Sequence, residues 1–384
     1  MDEPFGTKKT SAQKTRWSQL SDAELVHFDF TSSDPEMSDN ISEAPPPVDE
    51  EPEVEAMYDM SGRGRKVRCV YCKYPNHFRG IIVRYPNGMG YLVGRDCALN
   101  HHGVEFEAKL ADFDAAVEKQ SYLRRRQSVL NVRAKIHTEF EDLKSHPAIF
   151  SFDQLMHDWR YFCKDLAVPL AHIAARGELL SCDVEVRDHA AERARKERLG
   201  PNFETERQKA KSAGKRWQLV RNVKEVIGPL NGGLFFGHGT KIQKRFQEIQ
   251  AEVQACLRAL SIENPTLHQI RSALRELSNQ SDALEHELNR LDALRVAFES
   301  ENLNRIAKWG NERFRLQTST TAKPRFVVKG RSIKDKLNES DTGTVWAQFV
   351  SLHEHYHPPK YTLLTTLRHA IATEYEPHSD ALSR

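Results

Sequence analysis

Cys69 and Cys72, two residues apart, and Cys97 and His101, a four-residue step after a 24-residue interval, place strong demands on what this chain can fold into. A Cys-x-x-Cys turn presents two thiolates to one tetrahedral ion, and an i, i+4 pair puts two further donors on one helix face. Between the pairs, residues 79–85 and 90–93 are short runs rich in β-branched and aromatic side chains, separated by Pro86, Asn87 and Gly88, which is a hairpin signal. The order read from residues 65–105 is therefore knuckle, hairpin, helix. His102 ranks second to His101 as the fourth donor because a five-residue step turns it off the helix face. His77 is a more distant candidate, since a five-residue step from Cys72 crowds the knuckle.

The same order, with Gly94-Arg95-Asp96-Cys97-Ala98 followed by His101, resembles the treble-clef group of zinc fingers, in particular the second half of such modules in uncharacterised phage and bacterial zinc-finger and coiled-coil proteins. That resemblance implies Cys69 and Cys72 as knuckle ligands and Cys97 with His101 as helix-borne ligands. Four protein ligands leave no open position, so the expected cofactor is one structural Zn2+ per chain, holding a segment too short to bury a core of its own.

Of the 384 residues, 39% are hydrophobic and 29% charged, a surface-rich composition that extended helices produce. The expected fold class is mainly α. The division read from the sequence is a disordered acidic arm (1–60), a zinc-finger module (61–105), a helical region (106–233), an antiparallel coiled-coil hairpin (240–310) and a small C-terminal α/β segment (318–384). No apolar run reaches membrane-spanning length, and the six cysteines form no disulfide framework. The chain is expected to be intracellular and cytoplasmic, with a nucleoid or host-cytoplasm setting if bacterial or phage, and without a membrane partner.

The arm is assigned as disordered on its Pro, Ser and acid content; Trp17, Leu20, Leu25, Val26, Phe28 and Phe30 give it one apolar patch suited to docking on a partner. After the finger, Phe106, Leu110, Phe113 and Val117 step by four and three, which predicts a long amphipathic helix, with His101 on its first turn or on a shorter helix stopped by Gly103. Residues 152–175 read as a packed helix interrupted at Pro169. The glycine-rich run 232–239 lacks a phosphate-loop ending and reads as a turn carrying Phe235 and Phe236 into a core. Ile242, Phe246, Ile249, Val253, Cys256 and Leu260, then Ile270, Leu274, Leu277, Ser281, Leu284, Leu288, Leu291 and Phe298, trace two heptad-like seams. Between them Pro265, Thr266 and Gln269 supply a stop and a capping box. Residues 325–329 read as a strand, and residues 345–353 and 361–375 as helical.

Charge is segregated: residues 34–59 hold ten acids and no Lys or Arg, while residues 60–95 hold eight Lys or Arg and no acid. Those eight, Arg63, Arg65, Lys66, Arg68, Lys73, Arg79, Arg84 and Arg95, interleave with Tyr71, Tyr74, Phe78, Tyr85 and Tyr91, the mixture that pairs with phosphates and stacks on unpaired bases. The leading expectation is a non-enzymatic protein that binds DNA or RNA through this finger, restrained by the acidic arm. The alternative is a coiled-coil scaffold with a protein partner on its seam or arm. A third reading is a zinc metallopeptidase through His353-Glu354-x-x-His357 with Glu374 as third ligand, which Pro358 and Pro359 disfavour by ending the helix at the second histidine.

Overall fold

The computed structural model describes residues 16–74, 77–237, 239–314, 317–320, 325–329, 347–352 and 356–374. The chain is mainly α-helical with small sheets. It divides into two compact units, one of Met1–Ala134, Gln254–Ser278 and Thr366–Arg384, the other of Lys135–Val253 and Asn279–Thr365. Among the described residues no helix is long and apolar enough to cross a membrane.

Residues 16–60 of the first unit are folded, which corrects the expectation of a disordered arm over that stretch; residues 1–15 of the expected arm lie outside the described residues. Helix α1 (Asp22–His27) opens with a capping box in which Ser21 and Glu24 satisfy each other's backbone N–H groups. Its last carbonyls are met from a later helix: Gln120 donates to Leu25 O and Phe28 O, and Arg124 to Val26 O and Phe28 O. Trp17, Phe28 and Phe30 pack against one another with ring centroids 4.7–5.0 Å apart, and Trp17 and Phe30 reach Phe113 edge-on at 5.6 and 5.4 Å. The apolar patch expected to wait for a partner is thus covered by the chain's own helix.

Strands β1 (Thr31–Ser32), β2 (Glu53–Asp59), β3 (Arg79–Arg84) and β4 (Gly90–Val93) form one sheet in that order, parallel at β1–β2 and antiparallel elsewhere. Strand β2 lies in the segment read as disordered because its acids mask a period of two: Val54, Ala56 and Tyr58 are buried while Glu53 and Glu55 alternate with them. Ala56 and Tyr58 form a core cluster with Met60, Val67, Ile82 and Leu92, against which Ile41 packs. The third and fourth strands are the expected hairpin, turning at Asn87 and Gly88. Helix α2 (Arg95–Asn131) is kinked at Gly103, whose φ of 70° ends a first short helix, as one of the two readings required. Phe106, Leu110 and Phe113 on the second part are buried.

The second unit begins in α3 (Arg133–Ser145) and α4 (Pro147–Phe162). The break before α5 (Lys164–Arg176) falls at Cys163, and Pro169 sits inside α5, so the proline does not interrupt the helix as expected. Residues 106–233 are also not wholly helical. Strands β5 (Leu179–Arg187) and β6 (Val220–Pro229) pair antiparallel, joined through α6 (His189–Leu199) and α7 (Phe203–Ser212). Their side chains are largely exposed on both faces, so no apolar alternation announces them. Helix α8 (Gly233–Phe236) carries Phe235 and Phe236 into a cluster with Phe152, Trp159 and Phe298, as the glycine-rich turn predicted.

Helices α9 (Ile242–Leu260) and α10 (Leu267–Ala297) bury every seam residue named above, from Ile242 to Phe298. The turn between them uses Asn264 at φ 52°, and Thr266 with Gln269 forms the capping box. Helix α11 (Ser300–Phe314) follows. Strands β7 (Gln317–Thr320), β8 (Arg325–Lys329) and β9 (Ala347–Ser351) make an antiparallel sheet, so the expected strand at 325–329 is present while the helix expected over 345–353 is a strand at 347–351. Helix α12 (Thr362–Ala372) is the last described element.

Candidate metal centre

The cysteine pair sits on a small hairpin of its own. Lys73 N–H donates to Cys69 O at 2.9 Å and Lys73 takes the left-handed conformation at φ 58°, which turns the chain back. Val67 and His77 then bridge antiparallel, with Val67 N–H donating to His77 O at 2.8 Å. Val70 N–H donates to Leu92 O at 3.0 Å, fastening the hairpin to β4. Cys97 comes from the first turn of α2.

These elements bring Cys69, Cys72, Cys97 and His77 together, with one donor atom from each lying within 4.8 Å of all the others. This Cys3His group can hold a metal ion. Three of the four residues singled out by spacing belong to it; the fourth donor is His77 in place of the expected His101. The ring of His101 instead stacks on Tyr71, centroids 4.2 Å apart. His102, the second-ranked candidate, places Nε2 against the hydroxyls of Tyr71 and Tyr85, which meet each other at 3.0 Å. The i, i+4 argument failed although Cys97 and His101 share the short helix before Gly103, because the His101 ring is taken by Tyr71 and the left-handed Lys73 relieves the crowding that counted against His77. Gly94 makes room for that histidine: a Cβ there would stand 2.6 Å from His77 Cε1, so glycine lets the ring lie across the β4–α2 junction.

The electrostatics fit a cation. Burial pushes the Cys69 thiol up, but N–H groups of Cys72, Gly94 and Tyr71 directed at its sulfur outweigh that and leave it below the ordinary value. Cys97 is pushed up to about 12 by burial, then by the neighbouring Cys72 and Cys69 sulfurs. Three thiolates in one pocket repel one another until a positive ion offsets them. Burial, then the charge of His101, lowers the His102 pKa, and burial first raises Tyr71 and Tyr85.

The eight cations divide into two sets. Arg65 pairs with Asp34 and Glu36, Arg79 with Asp59 at 2.8 Å, Arg84 with Glu55 at 2.7 Å, and Arg95 with Asp114. Arg63, Lys66, Arg68 and Lys73 are exposed and meet no carboxylate among the described residues. Lys66 lies 5.4 Å over the Phe78 ring, Arg68 donates to Lys73 O, and Tyr74 is 67% exposed beside them.

Of the peptidase motif, residues 353–355 lie outside the described residues. His357 is exposed and outside any helix, and Glu374 accepts from Ser121 and faces Arg125. No family model, curated protein or solved structure matches this chain.

Proposed function

We propose that the first unit is a zinc-stabilised module that binds single-stranded nucleic acid through the knuckle hairpin. Zinc is the metal the donor set favours, since three thiolates and an imidazole match a structural tetrahedral site. With metal bonds of about 2.3 Å to sulfur and about 2.0 Å to nitrogen, a tetrahedral S···N edge is about 3.5 Å. Cys72 Sγ and His77 Nε2 stand 3.5 Å apart. A closed four-donor shell makes the metal's role structural.

The observation that carries the binding reading is the division of charge. Arg65, Arg79, Arg84 and Arg95 are held by acids of the same chain, while Lys66, Arg68 and Lys73 remain exposed on or beside one hairpin with Tyr74 and Phe78, and Arg63 is exposed on the turn before it. Guanidinium and ammonium groups neutralise phosphates, and exposed rings offer stacking faces to unpaired bases. The coiled-coil scaffold reading has less support, because the seam residues of α9 and α10 are buried within this chain and leave that stripe nothing apolar to offer a partner.

The test is a salt series of single-stranded oligonucleotide titrations. The variant K66Q/R68Q/K73Q should lower the slope of log affinity against log salt by about 2, at roughly 0.7 per contact, and Tyr74→Ala should weaken binding by about 1–3 kcal/mol. R79Q/R84Q, which removes cations already paired, should change little. Equal affinity of all variants and the parent, each retaining one zinc, refutes the reading.

A further inference from the structure

The second unit carries a cationic surface of its own. Strands β5 and β6, nine and ten residues long, make a ribbon of about 30 Å at roughly 3.4 Å per residue. Its root is anchored: Leu180 and Cys182 are buried, Trp309 Nε1 donates to Ser181 O at 3.1 Å, and Lys308 pairs with Glu225 at 2.8 Å. Beyond Asp183 the ribbon is exposed, with Val186 and Val223 at 43% and 38%. Helices α6 and α7 join the far ends of the strands, held by Trp217 against Phe203 at 5.5 Å and by Arg195 stacked 3.8 Å over Trp217.

Residues 187–224 contain twelve Lys or Arg and five acids. The acids are largely engaged: Asp188 caps α6, Glu192 holds Arg187, Glu204 holds Arg207, and Glu206 holds Lys209. Arg216 is taken by Glu185. What remains is Arg193, Lys196, Arg198, Lys211, Lys215 and Arg221, all exposed, none meeting a carboxylate among the described residues. Lys224 is also unpaired but stands opposite Asp183 across the ribbon. Six exposed cations without a carboxylate partner, with Glu197 alone among the five acids not engaged, repel one another on one exposed element, whereas elsewhere this chain pairs many of its cations with acids. A polyanion reverses the sign of that term.

The geometry points to duplex DNA: we infer that the β5–β6 ribbon with α6 and α7 is a DNA-binding arm whose six unpaired cations contact phosphates. A two-stranded ribbon fits the major groove, about 12 Å wide, while the deep, narrow major groove of RNA helices excludes it. The inference uses no residue of the zinc module and stands whether or not that module binds single strands.

The experiment titrates a 30-base-pair duplex with the full chain across a salt series. It compares K196Q/K211Q/K215Q/R221Q with R187Q/R207Q/K209Q/R216Q, which removes four ion-paired cations and changes net charge by the same amount. The first variant should reduce the slope of log affinity against log salt by about 3 to 4, at roughly 0.9 per phosphate, and the second by clearly less. Zinc content and circular dichroism monitor folding in both. Absence of duplex binding by the parent overturns the inference. So do equal losses in the two variants, displacement of the duplex by polyglutamate at equal charge concentration, or loss of duplex binding on K66Q/R68Q/K73Q alone.

Discussion

Replacing Gly94 by Ala separates the two histidines that compete for the fourth ligand position. The backbone at Gly94 is φ −71°, ψ 141°, which alanine adopts without strain, and such a substitution ordinarily stabilises by about 0.4–1 kcal/mol. Here the new Cβ would lie 2.6 Å from Cε1 and 2.8 Å from Nδ1 of His77, against carbon contacts that are optimal near 3.5 Å. The ring must withdraw by about 1 Å, several times the roughly 0.2 Å that a metal–ligand distance tolerates. Metal affinity should fall at least as far as when a group orienting a ligand is lost, about 10- to 100-fold, or roughly 1.4–2.7 kcal/mol. Competition with a chromogenic chelator measures this directly. His77→Ala should lose as much or more, and His101→Ala should lose little, because its ring lies on Tyr71. Unchanged affinity in G94A, or a loss in H101A equal to that in H77A, refutes the assignment.

Trp17→Ala removes the hub of the Phe28, Phe30 and Phe113 cluster; the module should lose about 3–5 kcal/mol, and limited proteolysis should cut within residues 16–60 faster than in the parent, an equal rate refuting the packing role. Truncating the first sixty residues should yield an insoluble or zinc-poor protein, since it deletes β2 from the sheet interior; a soluble, zinc-loaded product with tighter nucleic-acid binding would restore the picture of a mobile inhibitory arm. Asn302, fully buried, donates to Asn231 O and Ala297 O and accepts from Asn231 N–H, so Asn302→Ala should cost about 2–3 kcal/mol in chemical denaturation, and a change within 0.5 kcal/mol would contradict it.

What could be read from the residues followed from how strongly one periodicity outweighed its rivals. The seams of α9 and α10 were legible because each apolar step of three or four recurs over many turns and the cap at Thr266 and Gln269 agrees with it. The metal pocket was legible through its three cysteines, but the last donor depended on a left-handed Lys73 and a close approach at Gly94, neither of which leaves a spacing rule behind. The β5–β6 ribbon was invisible for the opposite reason: buried only at Leu180 and Cys182 and otherwise largely exposed on both faces, it has too short a buried side to impose alternation. Strand β2 was hidden by composition, since a window that counts acids and prolines registers disorder where Val54, Ala56 and Tyr58 alternate into a core.

The same strand explains why charge segregation along the chain misleads about charge on the surface. Ten acids followed by eight cations suggest two opposed patches, and only the register of β2 on β3 decides which of them meet. That register sets Asp59 opposite Arg79 and Glu53 opposite Arg84, placing Glu55 within reach of Arg84 and leaving Glu51 and Glu53 to Lys109. Cations on the sheet are thereby answered by acids of the preceding strand, each exposed pair contributing little to stability but fixing where positive potential is cancelled. The knuckle hairpin lies outside that pairing: Lys66, Arg68 and Lys73 ride on a turn whose backbone bonds go to itself and to β4, and no acidic strand passes opposite them. The metal ligands hold that turn closed, and with it the positions of Lys66, Arg68 and Lys73, which meet no carboxylate among the described residues.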